Sequence, residues 1–94
     1  MAEQAVTKNP NNPNAIDTLG WALFQEGQGD RALQLLRDAR LRDPGNPEIR
    51  YHLAVVLTQT GRKIEAREEL EAALKGRQIF ENSADAGTLL KTLK

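Results

Sequence analysis

Residues 12–45 read NPNAIDTLGWALFQEGQGDRALQLLRDARLRDPG, and residues 46–77 repeat that pattern 34 positions later as NPEIRYHLAVVLTQTGRKIEAREELEAALKGR. A fixed internal period of this length is the sequence signature of a repeat architecture, in which each unit covers the apolar face of its neighbour. The identities at this offset are Asn12/Asn46, Pro13/Pro47, Leu19/Leu53, Leu23/Leu57, Gln25/Gln59, Gly27/Gly61, Ala32/Ala66, Leu36/Leu70 and Ala39/Ala73.

Each unit is predicted to be a helical hairpin. Asn12 and Asn46 are good N-cap residues, and the proline that follows each of them suits the first helical position, where its missing N–H costs nothing. Gly27 and Gly61 come 14 or so residues later and are suited to end a helix in a left-handed conformation. The first helix of each unit therefore spans the residues between the asparagine and the glycine.

Second helices are predicted to start near Asp30 and Lys63, and the first of them to end before Pro44. Spacings of three and four between apolar residues support these helices. The predicted apolar stripes are Ile16, Leu19, Gly20 and Leu23, then Ala32, Leu35, Leu36 and Ala39, then Ile64, Ala66, Leu70, Ala73 and Leu74. The small residue Gly20 is expected to let a neighbouring helix approach closely.

The pattern resembles the tetratricopeptide repeat family. The residues that carry the resemblance are Leu19, Gly20, Gly27, Ala32, Leu36, Ala39 and Pro44, then Leu53, Ala54, Gly61, Ala66, Leu70 and Ala73. The resemblance implies an all-α, right-handed helical-hairpin solenoid with two full repeats and a C-terminal capping helix. The sequence departs from the family pattern early in the first helix of each repeat, where Ile16 and Arg50 replace a frequent tryptophan.

The predicted organisation has four parts: residues 1–12 as the tail of a preceding repeat with a short helix and turn, 13–46 as repeat 1, 47–77 as repeat 2, and 78–94 as a connector and capping helix. The capping helix is expected to start at Asn82 or Ser83 and to bury Ala86, Leu89, Leu90 and Leu93. A start halfway through a hairpin favours a C-terminal fragment of a longer bacterial repeat protein over a natural protein with a short first cap.

Composition argues against several classes of function. The 13 basic and 13 acidic residues cancel, which removes the usual electrostatic basis for binding nucleic acid. Cysteine is absent and His52 is the only histidine, so thiolate chemistry and a multi-histidine metal site are excluded within this chain. No apolar run approaches the roughly 20 residues of a membrane helix. We expect no catalysis, no cofactor, no metal and no direct membrane insertion.

Charged clusters are interpreted as solvated surface. Glu65, Glu68, Glu69 and Glu71 alternate with basic residues at helical spacings, which predicts an exposed, ion-paired face. The basic stretch Arg37–Arg42 contains Asp38 and is followed by Asp43, so an RNA-binding stripe is disfavoured.

The family resemblance implies a non-catalytic protein-interaction or scaffold function, in which the first helices line a concave groove that binds a peptide or a partner helix. The groove residues implied here are Asn14, Asp17, Thr18, Trp21, Phe24, Gln25, Tyr51, His52, Val55, Thr58 and Gln59. Aromatic side chains are frequent anchors of interfaces, although Phe24 is equally well suited to the core. The cationic clamp of family members that bind chaperone tails is absent, since Asp17, Trp21, Tyr51 and His52 occupy those positions.

An alternative function is homo-oligomerisation through the groove or through an open N-terminal edge around Ile16, Leu19 and Leu23, giving a weak homodimer. The partner is then a second copy rather than another protein or peptide. The chain also resembles the C-terminal ends of long bacterial repeat proteins, some of which are lipoproteins of exopolysaccharide systems. This resemblance points to the bacterial envelope if the parent protein is exported. The segment itself contains no signal, so the sequence leaves the location open between the cytoplasm and the envelope.

Overall fold

The computed structural model describes residues 12–75 and 83–93, which form five α-helices. The helices are α1 (Pro13–Gln25), α2 (Gly29–Arg42), α3 (Pro47–Gln59), α4 (Lys63–Lys75) and α5 (Ser83–Leu93). Helices α1 and α2 form one hairpin and α3 and α4 form the next, while α2 packs on α3 and α4 packs on α5. The predicted all-α hairpin repeat is confirmed. The short helix predicted within residues 1–12 and the connector near residue 80 lie outside the described residues.

Both hairpins begin with the asparagine cap that the sequence predicts. The Oδ1 atom of Asn12 accepts hydrogen bonds from the backbone amides of Asn14 at 2.9 Å and Ala15 at 3.3 Å. Asn46 accepts from the amides two and three residues further on, at 3.0 Å and 3.3 Å. Two of the amides that a helix start leaves without a partner are thus satisfied in each repeat.

Glycine ends the first helix of each hairpin. Gly27 has φ 85° and Gly61 has φ 82°, a left-handed region that side chains with a Cβ rarely occupy. After α1, the amide of Gln28 donates to the carbonyl oxygen of Leu23 at 2.9 Å, and Gly27 donates to Phe24 at 3.0 Å. These two bonds form a Schellman motif, which terminates the helix and turns the chain toward α2.

The core consists of a main cluster that spans the two hairpins and α5, and of a smaller cluster of Ile16, Ala39 and Ile49. Its largest fully buried side chains are Ile16, Leu36, Ile49, Leu53, Leu57, Leu70 and Val56. A Cβ added at Gly20 would lie 3.0 Å from Cγ of Leu36 and 3.4 Å from Cβ of Leu35, so α1 and α2 approach closely at this glycine as predicted. Ala86 of α5 is fully buried, and Leu89, Leu90 and Leu93 pack against the core. The predicted packing of the last helix is confirmed, with Ala86 buried and the three leucines half-buried.

Two expectations about apolar surface are wrong. Ile64 is 71% exposed, because it lies two residues before Ala66 and therefore about 200° away from it around the helix. Of the three residues expected at an open N-terminal edge, Ile16 and Leu23 are buried and Leu19 is half-buried, so the expected poor cover is not seen at Ile16 and Leu23. Ile16 packs with Ala39 and Ile49, which belong to α2 and α3.

The prediction of an exposed carboxylate face is wrong for Glu69, which is only 4% exposed. Its carboxylate pairs with Arg40 of α2 and, at 2.8 Å, with Arg50 of α3. Arg50 also donates from Nε to the carbonyl oxygen of Pro44 at 2.7 Å. Glu69 therefore joins three helices, and it is buried because two guanidinium groups compensate its charge.

Other charges form ion pairs nearer to solvent. Arg37 of α2 pairs with Glu65 of α4 at 2.7 Å. Within single helices, Arg42 pairs with Asp38 at 3.2 Å and Arg67 lies 3.7 Å from Glu71. Arg37, Arg40 and Arg42 of α2 thus face carboxylates of the protein itself. None of the helices in the described part of the chain is long and apolar enough to cross a membrane.

Candidate functional site

A polar contact joins the first helices of the two repeats. The Nδ1 atom of His52 on α3 lies 2.9 Å from Oδ1 and 3.0 Å from Oδ2 of Asp17 on α1. Asp17 is only 8% exposed, so its carboxylate is mostly withdrawn from water and depends on this partner. Two residues that the sequence assigns to the groove are therefore in direct contact, and Asp17 already has an internal partner.

Four aromatic rings lie beside this contact and are called here the ring row: Trp21 and Phe24 of α1, and Tyr51 and His52 of α3. Trp21 stacks on His52 with ring centroids 4.4 Å apart, and Trp21 and Phe24 are 5.3 Å apart. Tyr51 lies 5.8 Å from His52. All four side chains are half-buried. Each ring therefore supports its neighbours and still presents a surface to solvent.

A cleft of about 310 Å³ continues from the ring row between α3 and α5. It is called here the α3–α5 cleft, and it is lined by Tyr51, Val55, Thr58 and Gln59 from α3 and by Asp85, Thr88, Leu89 and Thr92 from α5. Tyr51 belongs to both the ring row and the cleft. The two features thus form a continuous inner face that crosses α1, α3 and α5.

Sequence reasoning missed the α5 side of this cleft, because it treated α5 only as a cap. The signal was present: the 34-residue offset relates Tyr51 to Asp85, Val55 to Leu89 and Thr58 to Thr92. Helix α5 also packs on α4, as α3 packs on α2. In position, α5 therefore corresponds to the first helix of a further repeat.

The remaining predicted groove residues lie around these two features. Asn14, Thr18 and Gln25 are exposed on α1, and the hydroxyl of Thr18 donates to the carbonyl oxygen of Asn14 at 2.9 Å. Asn46 donates from its side chain to Oδ1 of Asn14 at 3.3 Å. Gln25 is in neither the ring row nor the cleft. Eight of the eleven predicted residues thus belong to the ring row, to the cleft or to the Asp17–His52 contact, and Asn14, Thr18 and Gln25 do not.

The inner face is electronegative around Tyr51. Burial raises the pKa of the Tyr51 phenol above its ordinary value of 10.0, and the nearby carboxylates of Asp85 and Glu48 raise it further. None of the residues that line the α3–α5 cleft is a lysine or an arginine. Within residues 12–75 and 83–93, no three or more His, Asp or Glu side chains group in a way that could hold a metal ion.

The fold and this inner face define an α-helical hairpin-repeat protein. A family model of the tetratricopeptide repeat matches residues 23–78, more than half of the sequence, and the chain belongs to this family. A comparison with curated proteins gives no match.

Solved structures share the fold. The type III secretion translocator chaperone SycD of Yersinia enterocolitica superposes with a TM-score of 0.85 and 21% identity, over 98% of this chain and 66% of that one. The same chaperone in complex with a peptide of the translocator YopD gives a TM-score of 0.85 and 21% identity, over 98% of this chain and 73% of that one. At this identity the likeness concerns the fold alone.

Proposed function

We propose that the chain is a non-catalytic protein-interaction module, which binds an extended segment of a partner protein on the inner face of α1, α3 and α5. The observation that carries the proposal is the ring row, since aromatic side chains that keep a solvent-facing surface are typical anchors of interfaces. A core role alone would bury these rings, yet Trp21 and Tyr51 are only half-buried.

Two further observations support this function. The α3–α5 cleft extends the ring row and offers an apolar wall of Val55 and Leu89 to a partner side chain. The structurally similar chaperone SycD is seen with a peptide of its translocator bound, so a fold of this kind has room for such a ligand. His52 lies against Asp17 and Trp21, and these contacts hold its ring within the ring row.

The test starts from a displayed library of random linear peptides selected on the purified chain. The selected peptides are then measured by fluorescence anisotropy against the double variant Trp21→Ala, Tyr51→Ala. We expect the affinity to fall more than tenfold, since two interface anchors are lost, while circular dichroism shows unchanged helical content. Leu41→Ala is the matched control, because Leu41 is a large apolar side chain that is 77% exposed on α2. Unchanged affinity in a folded double variant would contradict the proposal.

A further inference from the structure

The α3–α5 cleft has an apolar wall and a rim of hydrogen-bond acceptors. Val55, Leu89 and the ring of Tyr51 supply the apolar part. The carboxylate of Asp85 lies at the exposed side, and no residue that the structure describes forms an ion pair with it. The volume of about 310 Å³ is at the small end of the roughly 300–1,000 Å³ of ligand pockets, which suits a few peptide side chains.

The three threonines of the cleft act as acceptors toward a ligand. The hydroxyl of Thr58 donates to the carbonyl oxygen of Ala54 at 2.8 Å, and Thr92 donates to that of Thr88 at 3.1 Å. Thr88 likewise donates to the carbonyl oxygen of Ala84 at 3.1 Å. A hydroxyl has one proton and two lone pairs, so each Oγ atom retains acceptor capacity after this bond and has no second proton to give.

The basic residues with described ion pairs lie elsewhere. Arg40 and Arg50 are held by Glu69, and Arg37 by Glu65, in a network that involves α4 rather than α5. The cleft therefore has one carboxylate, no basic residue in its lining, and three threonine acceptors beside the polar groups of Tyr51 and Gln59, although the chain as a whole has no net charge. A ligand group with several donors and a positive charge complements such a surface, while a carboxylate would be repelled by Asp85.

We propose that the α3–α5 cleft recognises a partner segment in which an aliphatic residue is accompanied by a lysine or arginine. The aliphatic side chain packs against Val55 and Leu89, and the ammonium or guanidinium group lies at the rim with Asp85 and the threonine oxygens. This specificity rests on the proposed peptide-binding function and names the chemical class of the partner.

The same displayed library of random linear peptides tests this inference, with the composition of the selected peptides compared with that of the unselected library. We expect selected peptides to be enriched in lysine and arginine and depleted in aspartate and glutamate. Asp85→Asn should weaken a selected basic peptide by about two- to fivefold at low salt, the effect of losing one exposed ion pair, and added salt should reduce the difference. Asp30→Asn is the matched control, because Asp30 is also an exposed aspartate in the first turn of a helix and lies outside the cleft.

The outcomes separate this inference from the function on which it rests. A library that yields no binder overturns the peptide-binding function and the inference with it. Binders without a preference for basic residues, or a preference that survives in Asp85→Asn, overturn the inference alone. A dimer of the chain that is lost in Asp85→Lys, measured by sedimentation equilibrium, would assign the cleft to a second copy and also overturn it.

Discussion

The Nδ1 atom of His52 lies 2.9 Å from Oδ1 of Asp17, although the two residues are 35 positions apart in the sequence. The contact joins α1 to α3, which are the first helices of consecutive hairpins. These two helices contact each other much less than each contacts the second helix of its own hairpin. Because an ionised carboxylate only accepts hydrogen bonds, this pairing requires the proton of the imidazole on Nδ1. The imidazole plane fixed in this way is also the one on which Trp21 stacks.

Removing the acceptor should destabilise the array. Asp17→Ala is expected to lower the free energy of unfolding by about 1–3 kcal/mol, because the half-buried Nδ1 atom of His52 loses its hydrogen-bond acceptor. Asp17→Asn should cost less, since its amide oxygen still accepts from Nδ1. Urea unfolding followed by the fluorescence of Trp21, the only tryptophan, measures both variants. Equal stability of Asp17→Ala and the parent chain would show that the contact contributes nothing.

Gly20 and Gly87 provide a matched pair of helical glycines. Alanine stabilises a helix interior by up to about 1 kcal/mol relative to glycine, and Gly87→Ala should show this gain because nothing lies within 4 Å of its added Cβ. At Gly20 the new Cβ meets Leu36 at 3.0 Å, and Leu36 is fully buried and has no room to move away. Overpacking costs about 1–3 kcal/mol, so Gly20→Ala should be destabilising.

Thermal unfolding by circular dichroism checks this pair. We expect the melting temperature to be highest for Gly87→Ala, intermediate for the parent chain and lowest for Gly20→Ala. A Gly20→Ala variant as stable as Gly87→Ala would mean that α1 and α2 separate slightly without cost, contrary to the close packing at Leu36.

Local signals in the sequence are sufficient to predict where the first helix of each hairpin begins and ends. Asn12 and Asn46 act through amides two and three residues away, and Gly27 and Gly61 act through their own backbone conformation. Such effects depend on neighbours along the chain, so they can be predicted from spacing alone. The error at Ile64 came from including in a stripe a residue that the helical period places on another side.

The site and the buried charge were harder to predict because they depend on contacts between distant elements. Glu69 has basic neighbours along α4 that predict surface pairing, but its actual partners, Arg40 and Arg50, come from α2 and α3. Asp85 is an ordinary first-turn acid in its own helix, and only the packing of α5 beside α3 brings it to Tyr51. Spacing within one helix contains no information about which helix lies alongside.

The buried ion triad of Glu69, Arg40 and Arg50 should contribute more to the free energy of unfolding than the exposed ion pair of Glu71 and Arg67 on α4. Glu69→Ala leaves Arg40 and Arg50 without their carboxylate, and we expect a loss of about 3 kcal/mol, the lower end for a buried pair because both guanidinium groups are partly exposed. Glu71→Ala is the control, since Glu71 is exposed and lies 3.7 Å from Arg67, and it should cost about 0.5 kcal/mol or less. Urea unfolding of both variants gives the comparison, and equal losses would contradict the role of the triad.

Tyr51 is the only tyrosine, so its ionisation can be followed directly by the absorbance of tyrosinate at alkaline pH. Burial and then Asp85 and Glu48 raise its pKa, so the midpoint in the folded chain should lie above 10.0. A group whose pKa is raised by folding stabilises the fold below its unfolded value, and this contribution is lost as pH rises through the folded pKa. The free energy of unfolding should therefore fall above pH 10, and it should fall less in Tyr51→Phe.

Asp85→Asn should move the midpoint of the Tyr51 titration down toward 10.0, because one nearby negative charge is removed. Circular dichroism at each pH confirms that the chain is still folded. A midpoint at or below 10.0 in folded protein, or one unchanged in Asp85→Asn, would contradict the arrangement of α5 beside Tyr51.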